Sequence, residues 1–300
     1  MHQDNLAMPP FILFKMIKLA LLALLVWLLL QQRIAASNSA ALSHLSALIG
    51  GSDSAQRISV LIAHPDDEVM FFSPALASMR QLPNVAFDVL CFSNGNAAGL
   101  GETRAAELRE SVDLLFRGTE HTLRILNYTD GPHELWDTTA MARAIGETET
   151  GSAEPPSAIL TFDSAGVSGP ANHIACHEAA RRFCTANSGV RLLSLDSHGG
   201  NIALKYSGVI PELARQLYRA ALDTLRGCRW TKGYMPLAPV HPNTASTRTI
   251  RFTSTFPQYV LAYATMLNAH ASQVVWFRYA WWVFSRFVYV NDIVVDPAFS

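Results

Sequence analysis

The stretch Ile58-Ser59-Val60-Leu61-Ile62-Ala63-His64-Pro65-Asp66-Asp67-Glu68 sets an apolar, β-prone run directly against a histidine and three acids. A continuous apolar run of this length fits a strand covered on both faces. The polar cluster after it is costly to bury unless a cation or a reaction requires it. His64 and Asp67 supply the imidazole nitrogen and carboxylate oxygen that Zn²⁺ takes as ligands. Asp66 lies between them, where a general base for metal-activated water belongs. Glu68 reads as structural support.

Strand-like and helix-like runs alternate from here onward. Residues 58–63 read as the first strand, 69–81 as the first helix and 86–93 as the second strand. A glycine-rich loop spans 94–101, and 103–116 has helical spacing with Leu108, Val112 and Leu115 on one face. Further strands are expected at 123–127, 158–162 and 191–195, with helices over 137–145 and 172–184. Asp137 stands in an N-cap position. This order predicts an α/β fold, a Rossmann-like, doubly wound and mostly parallel sheet. Such sheets bind ligands at the carboxyl ends of their strands. His64 to Glu68, Asn94 to Arg104, Asp130 and Asp163 to His173 all follow strands.

A catalytic zinc takes three protein ligands and keeps one position open. His173 opens a helix at the correct sheet edge and is the expected third ligand. His177 follows one turn later on the same face, so a His-xxx-His pair competes with a helix-face histidine supporting the site. Ile174 stands where a zincin would need glutamate.

The formal net charge is −1 with no long basic run, which leaves no footprint for nucleic acid. Half the residues are hydrophobic, and the chain ends explain much of that excess. After an N-terminal tail (1–10), residues 11–32 are expected to form a transmembrane anchor. A cleaved signal peptide, with Lys15 and Lys18 before its apolar core, is the competing reading. Residues 33–56 read as a Ser/Ala-rich linker, and 57–300 as the folded domain. Its aromatic segment 273–290 reads as a half-embedded interfacial helix with Arg278 and Arg286 in the headgroup zone, or as a core helix, or both. Cys91, Cys176, Cys184 and Cys228 lack zinc-ribbon spacing and read as reduced thiols.

The segments Ala63 to Glu68, Cys91 to Asn96, Gly101 to Arg104 with Glu107-Leu108, and Thr161 to His173 resemble the LmbE-type de-N-acetylases. With His270 to Arg286 and the N-terminal apolar run, the likeness extends over nearly the whole chain. It narrows to the PIG-L branch, the N-acetylglucosaminyl-phosphatidylinositol de-N-acetylases of glycosylphosphatidylinositol-anchor synthesis. The resemblance implies a metal-dependent amidohydrolase with His64, Asp67 and His173 on zinc and Asp66 as general base. Fe²⁺, Co²⁺ or Mn²⁺ suit the same donors. It implies a lipid-linked amino-sugar substrate, a bilayer as partner, and a single-pass protein of the endoplasmic reticulum facing the cytosol. The lysines at 15 and 18 argue for the opposite orientation. Arg104, Asp130 and Asn172 are candidates for substrate contacts, Arg104 because a guanidinium suits a phosphodiester. An ion pair to Glu107 or Glu110 is the alternative for Arg104, and a solvated turn for Asp130.

One departure stands out. The resemblance calls for histidine two residues before Asn172, and this chain has Pro170. His177 and His270 are the candidate catalytic replacements. Two other outcomes follow: deacetylation of a different N-acetyl sugar, or a catalytically impaired scaffold.

Overall fold

The computed structural model describes residues 10–51, 55–131, 134–147, 155–167, 169–227 and 248–299. Cys228 and most of the expected tail lie outside them. Among the described residues, seven strands form one sheet: β1 (Gln56–Ile62), β2 (Val85–Cys91), β3 (His121–Ile125), β4 (Ala158–Phe162), β5 (Arg191–Leu195), β6 (Thr249–Thr253) and β7 (Val290–Val295). Their order is β3-β2-β1-β4-β5-β7-β6. The first five pair in parallel, as expected, whereas β7 and β6 close one side antiparallel. The chain reverses its direction of winding between β1 and β4. That is the switch point at which a doubly wound sheet opens a crevice.

The helices are α1 (Pro10–Leu29), α2 (Gln31–Leu48), α3 (Asp67–Met70), α4 (Ser73–Met79), α5 (Gly101–Leu115), α6 (Thr138–Gly146), α7 (Ala171–Ala186), α8 (Ile202–Lys205), α9 (Ile210–Gly227), α10 (Phe256–Ala269) and α11 (Trp276–Phe284). They cover the sheet so that every residue of β4 is buried. Phe72, Phe87, Phe162 and Phe252 are fully enclosed, each worth about 1.5–3 kcal/mol of burial. Cys91, Cys176 and Cys184 are free and buried.

Three stretches differ from expectation. The helix expected over 69–81 is two short helices, α3 and α4, with Pro74 in the first turn of the second. Proline lacks the N–H a continuous helix would need there. The expected linker is helix α2 for most of its length, burying Ile34, Asn38, Leu42 and Leu45 as one stripe. Asn38 donates to the Thr253 carbonyl at 2.8 Å and accepts from its N–H at 3.0 Å, so its carboxamide continues the ladder of edge strand β6. Within 273–290, α11 ends at Phe284 and the chain turns into β7. Arg286 is only 3 % exposed and pairs with Asp292 at 2.9 Å, which removes it from any headgroup zone.

Among the described residues no single helix is long and apolar enough to cross a membrane. Phe14–Leu29 and Gln31–Leu48 reach that length and apolarity only together, as a pair bent by 57°.

Candidate metal centre

The loop after β1 and the first turn of α7 meet across the switch point. His64, Asp67 and His173 each offer one ligand atom there, all within 4.8 Å of one another. His173 Nδ1 lies 3.2 Å from the Gly166 carbonyl, which leaves Nε2 facing Asp67 Oδ1 at 3.4 Å. The Phe162 ring stacks on the His173 ring at 4.0 Å and fixes its plane. Gly166 has φ +56, and a Cβ there would lie 3.0 Å from that of His173, so the loop comes this close because it has no side chain.

Asp67 Oδ2 accepts from the backbone N–H groups of Ala63 and His64 at 3.0 and 2.8 Å. Burial pushes its carboxyl up. The charge and hydrogen bond of His173, with His64, outweigh it, and the carboxyl is held down at about 2. An ionised carboxylate is the form a cation binds.

His64 Nε2 lies 3.1 Å from Asp130 Oδ1, and the Asn172 carboxamide is 3.1 Å from the same nitrogen. Nδ1 is left on the Asp67 side, 3.7 Å from Oδ2. Burial lowers the His64 pKa, but Asp130, Asp67 and Asp66 raise it above its ordinary value. Their combined field favours positive charge between these side chains. The hydrogen bond from His64 in turn holds Asp130 below the usual carboxylate range. The donor set therefore fits a divalent cation, with Asp130 in the place of the carboxylate that orients a ligating histidine.

Asp66 stands outside this group of three. Its φ of +122 is unusual for a residue with a side chain, a conformation that persists only where the surroundings enforce it. Its N–H donates to Glu68 Oε2 at 3.1 Å. Arg278 donates to Asp66 Oδ2 at 2.9 Å, and Arg104 lies 3.6 Å from the same oxygen. Burial raises the Asp66 pKa, Arg278 and Arg104 oppose it, Asp67 adds to it, and the net shift is upward.

The other expected site residues fall in varied places. Arg104 donates to the carbonyls of Pro65 at 2.7 Å and Gly95 at 3.1 Å, so it braces two loops rather than pairing with Glu107 or Glu110. Asn172 Oδ1 is buried without a hydrogen-bond partner. His177 Nδ1 bonds the Phe162 carbonyl at 3.0 Å and is not one of the three convergent ligands; burial lowers its pKa. His270 is fully buried, with Nε2 spent on Glu68 Oε1 at 2.5 Å. Two neighbours were not anticipated. Arg278 reaches the site from α11, and Trp136 sits 6.1 Å from His64. Only the isolated charge in an aromatic helix hinted at the first; nothing in the spacing hinted at the second.

A two-histidine, one-carboxylate cation site at a sheet switch point, with a buried carboxylate beside it, is an arrangement suited to metal-assisted hydrolysis. The family described as PIG-L, GlcNAc-PI de-N-acetylase, matches residues 59–184, and the chain belongs to it. It is 37% identical over 300 residues to the N-acetylglucosaminyl-phosphatidylinositol de-N-acetylase of Saccharomyces cerevisiae, covering 95% of each chain. The Bos taurus protein of that name is 30% identical, over 81% of this chain and 83% of its own. The probable counterpart in Schizosaccharomyces pombe is 31% identical, over 79% and 85% respectively.

Proposed function

We propose that this chain is a metal-dependent hydrolase that removes the acetyl group from N-acetylglucosaminyl-phosphatidylinositol. The observation that carries the reading is the convergence of His64, Asp67 and His173, with buried Asp66 next to Asp67 in the same loop, in a chain so similar to the yeast de-N-acetylase along its length. Zn²⁺ is the first choice of cation for the three ligands, and when bound it would polarise the acetamide carbonyl and acidify water.

The protein's own part is proton handling and orientation. Asp66, with its raised pKa, takes a proton from the water whose oxygen attacks the acetyl carbon. The C–N bond then breaks, and the amine nitrogen takes a proton as acetate leaves. With Pro170 in place of histidine, His270 tied to Glu68 and His177 turned to the Phe162 carbonyl, Asp66 is the residue placed to return that proton. Asn172 Oδ1, unpartnered beside His64, suits a substrate N–H or hydroxyl.

The membrane setting belongs to the same proposal. α1, with Phe11, Phe14, Leu21 and Leu25 exposed on its surface, meets the bilayer as the first arm of the bent pair with α2, and the catalytic domain faces the cytosol from the endoplasmic reticulum. Acetate release from lipid-linked and water-soluble N-acetyl sugars tests the substrate. Preference for a soluble sugar would replace the lipid reading, and no turnover on either would leave a scaffold. Protease protection in sealed microsomes tests orientation, since a lumenal catalytic domain would refute it.

A further inference from the structure

Helix α11 reads Trp276-Phe277-Arg278-Tyr279-Ala280-Trp281-Trp282-Val283-Phe284, with a single charge and no acid. Trp276, Phe277, Tyr279, Val283 and Phe284 are all at least half exposed. The apolar face continues onto Tyr206 and Ile210, with Tyr206 edge-on to Trp281 at 6.1 Å. α11 is also fastened at the foot of α1. Trp27 packs on Tyr259 and Tyr289, and both tyrosine hydroxyls donate to the Trp282 carbonyl, at 3.0 and 2.9 Å.

The inner face does something different. Arg278 leaves this apolar helix to reach Asp66 at 2.9 Å and also touches the Met70 sulfur. Arg278 Nε, Trp281 Nε1 and Trp282 Nε1 are buried donors with no partner among the described residues. Residues at i, i+3 and i+4 share one side of a helix. The opposite, outer side offers a continuous aromatic surface. Exposed Trp and Tyr rings with an apolar body and a polar edge are what the headgroup zone of a phospholipid bilayer accommodates. The attachment through Trp27, Tyr259 and Tyr289 sets α11 beside the end of α1.

We propose that the outer face of α11 docks on a phospholipid bilayer, and that Arg278 carries the docking to Asp66 by holding its carboxylate in position. This rests on the hydrolase reading above. Arg278 acts through Asp66 and is a positioning residue. Docking would therefore raise turnover even for a substrate that never enters the bilayer.

The test uses the full chain in phosphatidylcholine vesicles. The fluorescence of Trp276 is isolated as the difference between wild type and Trp276→Phe. Quenching by brominated phosphatidylcholine but not by aqueous iodide is expected; quenching by iodide alone would overturn the docking face. The second arm measures a water-soluble N-acetylglucosaminyl-inositol phosphate. The triple variant Trp276→Ser/Phe277→Ser/Val283→Ser should lower kcat about tenfold with KM unchanged, and add less than about twofold once Arg278 is Gln. An unchanged kcat, or a full multiplicative loss in the Arg278→Gln background, would overturn the coupling. A wild type without turnover would instead sink the hydrolase reading and the coupling with it, while the quenching still decides the docking face.

Discussion

Glu68 Oε1 accepts a hydrogen bond from His270 Nε2 at 2.5 Å, across 202 residues of sequence and with both side chains fully buried. Ser111 donates to the same oxygen at 2.5 Å, and the other carboxylate oxygen takes the Asp66 N–H. This bracket ties the loop that carries Asp66 to the far end of the chain. His270 therefore holds the Asp66 loop through Glu68.

Breaking the bracket on one side leaves a buried group unpaired. His270→Ala is expected to cost about 3–5 kcal/mol, as removal of one partner of a buried pair does. The pair also sets a pH dependence. Burial pulls the His270 pKa down, but the charge and hydrogen bond of Glu68, with Asp66, outweigh it and hold it above 6.5. A raised folded pKa means the contribution is complete below 6.5 and is lost as pH rises through the folded value. Urea midpoints followed upward from below that pH should fall more in wild type than in His270→Gln.

Asp130 orients His64 from behind the centre. Asp130→Asn should weaken divalent-metal affinity by about 10–100-fold while leaving the fold intact. Calorimetric titration of metal-stripped protein with Zn²⁺ measures this. Unchanged affinity would return Asp130 to the role of a substrate contact.

Pro170 precedes the first turn of α7 with φ −60 and ψ 132, an extended backbone that histidine adopts without strain. His177 Nδ1 is engaged by the Phe162 carbonyl and His270 Nε2 by Glu68. Pro170→His is therefore expected to raise kcat, up to the roughly 10²–10³ that one positioned donor contributes. No gain in steady-state turnover would mean another group already does the work.

Asn38 extends the ladder of β6 through its carboxamide. Asn38→Ala exposes no catalytic residue but strands a buried N–H and carbonyl of Thr253, at a cost of about 1–3 kcal/mol for each group left unpaired. Thermal melting should show the loss with metal affinity unaltered.

The parts of the fold legible in the sequence were those whose burial is continuous. Ala158–Phe162 and Arg191–Leu195 read as strands because almost nothing polar interrupts them. Asp137 marked its helix because its side chain does accept from the Thr139 N–H. β7 was hidden by Asn291 and Asp292, which are buried but satisfied by Ala75, Phe71, Arg286 and Arg251, so a polar string forms a core strand. α2 was hidden similarly, its buried stripe interrupted by Asn38. At the site, the ligands stood out because loops after β1 and β4 must converge at a switch point. Arg278 did not, because its partner lies 212 residues away and its own helix reads as apolar. The attachment of His270 to Glu68 was hidden for the same reason, its partner lying 202 residues away.

Asp66 and the three residues that hold the cation divide the labour between base and ligands. Metal content and acetate release, measured side by side on wild type and Asp66→Asn, test it most directly. One equivalent of divalent metal is expected in both proteins. Acetate release from the lipid-linked sugar should fall by about 10²–10⁴-fold in the variant, the range for a lost general base. Full turnover by Asp66→Asn, or by wild type stripped of metal, would rule out Asp66 as the base or the cation as its partner.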